Sequence, residues 1–476
     1  MDQTYDCLVI GGGSAGYAAA RTAVSHGLHT AVVDGAETLG GLCILHGCMP
    51  SKSLIESANR YHAMSRASEF GLRAESLTAL PEEIQARKRQ LIDEFASYRQ
   101  EQLADGRFDL LRGQARFLSP NSVCVRLRDG SEQIVHARTF ILATGSRVSI
   151  PDIPGLQECG FLTSDDVLDA SALPTSLIVL GGGPIALELA WFHCALGIPT
   201  TVIQRSPQLV RSMDVDVTVA LQQALEASGM EIFTDTKIGS VVRKPDGLAE
   251  VTFCQNGKTH VVQASAVLCA LGREPATQGL DLALAGVALN QQQVSTDTAQ
   301  ATSQPHIFAA GDLSGPHEIV HIAITQGETA ATNAAVFLGK LPSSAIRHMD
   351  YRLKLFAMFT QPELASVGLT EKEARAAEIP VLTATYPFND HGKSLVMGET
   401  AGFVKLIAHA ESGELVGAAV VGPHASELIH EVVVALACRI SAADFASIPH
   451  YHPTLSEIWT YPAEDLAERI PKGSAL

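Results

Sequence analysis

Near the start of the chain the apolar positions fall in short runs broken by glycine. "YDCLVI" reads as a strand, "GGGSAG" as a tight turn, "YAAARTAVSHG" as a helix and "HTAVVD" as a second strand, which together make a βαβ unit. The pattern returns at "SLIVLGGGPIALELAWFHCALGIPTTVIQRS". Three further apolar strands end in glycine: "TFILATGS", "SAVLCALGREP" and "PHIFAAGD". Each finishes where ligands meet doubly wound sheets, outside the carboxyl ends of the strands. From about Ile346 the pattern changes. Strand-like runs such as "GFVKLIAH" and "LVGAAVVG" alternate with the helical "ASELIHEVVVALACRI", predicting a separate α+β domain. The stretch "ATYPFNDHGKSLVMGETAG" mixes turn residues with polar groups and reads as an exposed connection.

At 476 residues the chain exceeds one core of ordinary size, and the length prior gives roughly three domains of about 150 residues. A 46% apolar, 18% charged composition is that of a globular protein rather than a disordered one. The formal charge of −17 excludes a nucleic-acid surface, since no basic excess exists to displace counterions from phosphate. No apolar run reaches the length of a membrane span, and Asp2 and Asp6 stand where a signal peptide needs positive charge. A cytoplasmic location is the expectation.

Glycine spacing adds chemistry to the pattern. Gly11, Gly13 and Gly16 fit G-x-G-x-x-G directly after a strand, and Asp34 closes the next strand at the place of a ribose-binding acid. Such glycines let the backbone approach a pyrophosphate at a helix N-terminus, where unpaired N–H groups favour negative charge. Gly181, Gly183 and Ala186 repeat the three small positions. Two units imply two dinucleotides; the bland alternative is a pair of structural turns without ligand.

Nine cysteines, an odd number, are unlike a secreted disulfide framework. Only Cys43 and Cys48, in "GGLCILHGCMPSK", stand close together. Zinc would need about four ligands, and no second pair exists. A relaxed structural disulfide is disfavoured in a regular helix, where residues five apart have Cα atoms about 8.6 Å from each other, beyond the roughly 7 Å limit. Bridging needs an irregular backbone, and strained disulfides are the labile ones. Pro50 suits the first turn of a helix, which would put Cys48 near its N-terminus, where the dipole and Lys52 favour a thiolate. These features favour redox chemistry.

The motifs "GGLCILHGCMPSK", "ILATGS", "GGGPIALE", "LGREP", "IFAAGD" and "HPTLSE" occur in one order along nearly the whole chain. In this the sequence resembles the class I FAD-dependent pyridine nucleotide-disulfide oxidoreductases, the family of dihydrolipoamide dehydrogenase, glutathione reductase and mercuric reductase. The resemblance implies an α/β fold with two Rossmann-like dinucleotide-binding domains and a C-terminal α+β dimerisation domain. Its segments would be 1–148 for the first part of the FAD-binding domain, 149–274 for the NAD(P)-binding domain, 275–345 for the second FAD part and 346–476 for the interface domain. It implies FAD on the first unit, contacted by Gly11, Gly13, Gly16, Asp34, Gly145 and Asp312, with the helix carrying His321 facing the flavin ring, and it makes Arg273 of "LGREP" a further cofactor-binding position. By the same resemblance Cys48 is the flavin-side thiolate and Cys43 the interchange thiol. Lys52 and Glu188 would pair near the hydride-accepting nitrogen, although Glu188 also reads as an exposed position on the second nucleotide helix. Gly181, Gly183 and Gly272 would line the nicotinamide-nucleotide site. His452 and Glu457 match the base and its orienting carboxylate, reached from the partner subunit of an obligatory homodimer. Taken alone, Pro453, Thr454 and Glu457 also spell a helix start with a capping box.

Members specific for NAD usually carry an acid where this chain has Gln204, whereas Arg205 and Arg211 suit a 2′-phosphate. NADPH is therefore expected, with NADH the alternative, and a small disulfide as substrate. "HYHPTLSE" is nearer to dihydrolipoamide dehydrogenase, so an NAD-linked enzyme of that kind is the runner-up. A mercuric reductase is disfavoured because the tail "ERIPKGSAL" lacks paired cysteines and no metal-binding module precedes Asp6. A low-turnover redox sensor is disfavoured by the complete cysteine pair. Three positions depart from the family pattern: Leu42 for the threonine of "GGTC", His46 for an aliphatic residue, and Pro184 for a tyrosine that often covers the nicotinamide site. Tyr98 and Arg21 fall near places where glutathione reductases contact substrate.

Overall fold

A computed structural model describes residues 3–470; Asp2 and the tail from Pro471, both used in the sequence reading, lie outside these residues. The chain forms two compact units, one of Met1–Ser51, Ala86–Ser149 and Arg273–Asp350, the other of Lys52–Gln85, Ile150–Gly272 and Tyr351–Leu476. The fold class is α/β with an α+β C-terminal part.

In the first unit, strand Gln3–Ile10 is the centre of a seven-stranded sheet. It pairs in parallel with Thr30–Val33 on one side and Glu132–Leu142 on the other, and Ile307–Ala309 runs parallel to the latter. Strands buried on both faces need continuous apolar sequence, which "CLVI" and "TAVV" supply. Helix Ser14–Ser25 packs against helix Val320–Phe337 so closely that a Cβ on Gly327 would stand 2.2 Å from the Ala15 carbonyl oxygen. The run of alanines on both helices permits this approach.

The second unit holds the repeated βαβ pattern as a parallel sheet in the order Glu231–Phe233, Thr200–Ile203, Leu177–Leu180, Ala266–Cys269. A separate five-stranded antiparallel sheet runs Leu355–Met358, Glu363–Gly368, Leu415–Gly422, Phe403–His409, Val381–Pro387. Helices Ala425–Ala437 and Thr460–Arg469 bury their apolar sides with it around Trp459, Phe445 and Ile429. Within this unit Lys405 is a buried cation, 2% exposed, ion-paired to Asp214 at 3.2 Å, Asp216 at 2.9 Å and Glu371 at 2.8 Å. Asp214 also accepts the backbone N–H groups of Glu371 and Lys372 at 3.0 and 3.1 Å. Among the described residues no helix is long and apolar enough to cross a membrane.

Candidate active site

Both glycine turns form cradles at helix N-termini. Gly11 and Gly181 have φ of 104° and 124°, a region costly for other residues, and a Cβ on either would stand 2.3 Å from the carbonyl oxygen of Ala143 or Ala270. Gly13 and Gly183 are the N-cap residues of helices Ser14–Ser25 and Pro184–Ala195, and neither helix has a side-chain cap or an acid in its first turn. At Gly183 a Cβ would meet nothing within 4 Å, and at Gly13 only the Gly41 Cα at 3.8 Å. The cradles are thus open space where a side chain would stand, each at a helix N-terminus without a side-chain cap. The N–H donors of such a terminus suit a pyrophosphate. Asp34, directly after strand Thr30–Val33, is buried and accepts Gly12 N–H on Oδ2 and Ala36 N–H on Oδ1, both at 2.8 Å; each oxygen keeps a lone pair for a further donor. At the matching place in the second unit, Gln204 lies against Gly182, and Arg205 and Arg211 are exposed with no ion pair among the described residues. Pro184 is at the N1 position of its helix, where a missing N–H costs nothing, a local reason for proline there.

The backbone between the two cysteines is irregular. Cys43 is in the short helix Gly41–Leu45, and Cys48 is the first residue of helix Cys48–Ser65, with Pro50 in its first turn. Between them the chain folds back, so that a Cβ on Gly47 would stand 2.9 Å from the Leu42 carbonyl oxygen and 3.2 Å from the Cys43 Cα. Glycine at 47 therefore keeps the two cysteine-bearing segments in contact. Both cysteines are half-buried. A residue the sequence reading missed joins this region: Arg99, whose guanidinium stacks 4.2 Å over the Tyr17 ring and has a buried Nε without a hydrogen-bond partner. Burial lowers the pKa of Arg99, opposed by the charges of Tyr17 and Cys43. Arg99 lies on a long helix crowded with charge, so nothing in its sequence neighbourhood marks it. Arg21 is ion-paired with Glu328 at 2.9 Å, and Tyr98 is exposed.

Elsewhere in the first unit Asp312 accepts the Ser146 hydroxyl at 2.6 Å, and Arg273 donates to the same residue through Nε to Oγ at 2.8 Å and Nη2 to the carbonyl at 2.9 Å. Gly145, with φ of 70°, precedes Ser146. His321 is exposed in the first turn of helix Val320–Phe337. One turn further on, the buried Gln326 accepts Gly311 N–H at 2.8 Å and donates to the Gly315 carbonyl at 2.6 Å, pinning both sides of the Asp312 loop. An amide among alanines and glycines was the available signal for it. In the second unit Gly272 has φ of 118°. There Glu188 is buried rather than exposed: Oε2 takes Lys52 Nζ at 2.7 Å and Oε1 the Phe359 N–H at 3.1 Å, with the ammonium 4.7 Å from the Phe359 ring centroid.

The C-terminal histidines separate by their partners. His450 places both ring nitrogens against acceptors, Nδ1 on the Ile448 carbonyl at 2.9 Å and Nε2 on Glu431 at 2.6 Å. His452 is 78% exposed and uses only Nδ1, 3.0 Å from Glu457 Oε2. A carboxylate on Nδ1 fixes the proton there and leaves Nε2 as the basic nitrogen facing outward. The capping box spelled by Thr454 and Glu457 does not form. The chain enters a 3₁₀ turn only at Ser456–Trp459, without a side-chain cap, and Glu457 spends its oxygens on histidines instead.

Residues 5–327 match the family model described as pyridine nucleotide-disulphide oxidoreductase, and residues 356–463 match the dimerisation domain of the same family. The chain belongs to this family. Dihydrolipoyl dehydrogenase of Bacillus subtilis is 32% identical to it over 469 residues, 96% of this chain and 97% of that protein. The dihydrolipoyl dehydrogenase of Thermus scotoductus is 34% identical, with 96% of each chain covered. Among solved structures, the Cu(II) complex of the HOCl-induced flavoprotein disulfide reductase RclA from Escherichia coli has the same fold, with a TM-score of 0.83 at 24% identity over 98% of this chain and 99% of that one. The oxidoreductase is thus an FAD-dependent enzyme of disulfide chemistry that also uses a pyridine nucleotide, and its dimerisation domain supports a homodimer. The two uncapped helix N-termini fit those two dinucleotides.

Proposed function

We propose that the oxidoreductase is an NADPH-dependent disulfide reductase in which Cys43 and Cys48 carry electrons to a small disulfide. When bound, FAD supplies two-electron exchange between the nicotinamide and this cysteine pair, in a site where Gly11, Gly13, Gly16, Asp34, Gly145, Asp312, Arg273 and His321 would hold it. The chain's own residues do the rest. As thiolate, Cys43 attacks one sulfur of the substrate disulfide, forming a mixed disulfide and expelling the other sulfur as thiolate, which the partner subunit's His452 protonates. Cys48 then attacks the Cys43 sulfur, releasing the second substrate thiolate and closing the Cys43–Cys48 bond. Glu457 holds His452 with Nε2 outward for that proton. The Lys52–Glu188 pair would place a fixed cation beside the site of hydride arrival, and Gly181, Gly183 and Gly272 would receive the nicotinamide nucleotide.

The observation that carries this reading is the fold-back at Gly47, which keeps Cys43 against the residue preceding Cys48 at a helix N-terminus. For the nucleotide, support comes from Arg205 and Arg211, exposed and without ion pairs among the described residues, beside an uncharged Gln204. The names of the relatives favour a second reading, an NAD-linked dihydrolipoyl dehydrogenase. Specificity constants for NADPH and NADH, measured with lipoamide, glutathione disulfide and other small disulfides, separate the two. NADPH preference supports the first; a strong NADH preference with lipoamide as the fastest substrate establishes the second.

A further inference from the structure

The segment read as an exposed connection contains one of the most buried polar side chains of the described residues. It forms strand Val381–Pro387, a 3₁₀ turn Phe388–Asp390 and helix Gly392–Met397, and at its bend His391 is 0% exposed, with Phe388 and Ser394 also buried. His391 Nδ1 is 2.8 Å from the Ser394 hydroxyl. Its Nε2 stands 3.3 Å from Glu457 Oε1, within ion-pair distance but out of hydrogen-bond alignment. The other oxygen of the same carboxylate holds His452 Nδ1. One buried carboxylate therefore lies between two imidazoles, one enclosed and one exposed.

We propose that His391 is a positioning residue for the disulfide-exchange step: lodged behind Glu457, it restrains Oε1 so that Oε2 stays on His452. The inference rests on the acid–base reading of His452 given above. Its chemistry follows from the partners. A serine hydroxyl can donate to Nδ1, which leaves the neutral imidazole with its proton on Nε2, directed at Glu457. Burial lowers the pKa of His391, against the raising influence of Glu457, so the neutral form prevails at neutral pH. A neutral donor restrains the carboxylate without cancelling the charge that His452 needs when it becomes imidazolium. The other titratable groups around His391 are His452, Tyr461, whose ring lies edge-on at 6.5 Å, and Tyr386, which stacks on Tyr461 and bonds Asp390. Burial, with Asp390, pushes Tyr386 up to about 12, so its hydroxyl adds no competing charge change near neutrality.

The test uses the holoenzyme with His391→Leu, His391→Gln, Ser394→Ala and His452→Gln. Rapid mixing measures reduction by the nicotinamide nucleotide and, separately, reoxidation by lipoamide or glutathione disulfide, whichever reacts faster, across pH. His391→Leu should slow reoxidation about tenfold and move the His452 limb of its pH profile down by about one unit, the order of one polar contact to a carboxylate. His391→Gln, whose amide can still donate to Glu457, should keep the limb in place, and reduction by nucleotide should be unchanged in both. Equal behaviour of the Leu and Gln variants, or an unmoved limb in His391→Leu, overturns the inference. Should the Leu variant fail to fold, Ser394→Ala decides: a smaller downward shift supports the proposal, a wild-type profile ends it. If His452→Gln leaves the limb intact, the acid–base reading has failed, a result distinct from failure at His391.

Discussion

Replacing Lys405 with methionine should destabilise the second unit by about 3 kcal/mol. Removing one partner of a buried ion pair typically costs about 3–5 kcal/mol. The lower end applies because Asp216 and Glu371 are 46% and 37% exposed and can take up water, while Asp214 keeps its two backbone N–H bonds. Thermal unfolding monitored by circular dichroism should fall by roughly 6–10 °C. The pH dependence discriminates the cause. Burial alone would lower the Lys405 pKa; hydrogen bonds to Glu371 and Asp216, with the charges of Asp214 and Asp216, outweigh it and raise the pKa. A lysine whose pKa is higher folded than unfolded gives stability that is complete below the unfolded value of about 10.4 and lost only as pH rises through the folded value. The gap between wild type and Lys405→Met should therefore stay flat between about pH 6 and pH 9.5. A gap that closes already below about pH 9 would mean that desolvation dominates, and would refute the argument.

Glu457→Gln should slow reoxidation by disulfide about 10- to 100-fold, the loss of one charge-assisted bond to His452, while reduction by nucleotide changes little in rapid mixing. Arg99→Met should reduce the rate of iodoacetamide alkylation of Cys43 in the reduced enzyme at pH 7 about threefold, read by mass spectrometry; an unchanged rate would show that the guanidinium does not support the thiolate. Arg205→Ala with Arg211→Ala should raise the KM for NADPH about tenfold or more and leave that for NADH within about twofold, and equal effects on both would remove the 2′-phosphate assignment. Gly327→Val should unfold the first unit or prevent its assembly, since its first side-chain carbon would overlap the Ala15 carbonyl; a soluble variant with wild-type melting would contradict the packing.

The glycine turns and the strands that lead into them were legible because the backbone demands at those places are met by few residues. Gly11 and Gly181 need positive φ, and Gly13 and Gly183 stand where any side chain would enter the cradle. The cysteine pair stood out because no other two cysteines of the chain lie so close in sequence, and its reading as a redox centre leaned on the two glycine turns beside it. What sequence could not supply was which polar residues turn inward. Thr454 and Glu457 spell a capping box as well as they spell an imidazole partner, and only the chain path after His452 decides between them. Glu188 looks exposed on a nucleotide-binding helix until Lys52 and the Phe359 N–H enclose it. "FNDHGKS" has the composition of a surface loop, yet its histidine is buried, with Glu457 and Tyr461 from the C-terminal segment against it. Burial of this kind depends on elements distant in sequence, and local composition carries no trace of it.

The clamp at Gln326 bears on how the protein behaves before any cofactor arrives. Its two hydrogen bonds tie both sides of the Asp312 loop to a helix side chain from within the fold. A loop ordered in advance spares an incoming cofactor the conformational entropy of ordering it, about 1–2 kcal/mol for each backbone residue already fixed. Apoprotein stripped of flavin should then behave as a waiting receptor that refills without refolding.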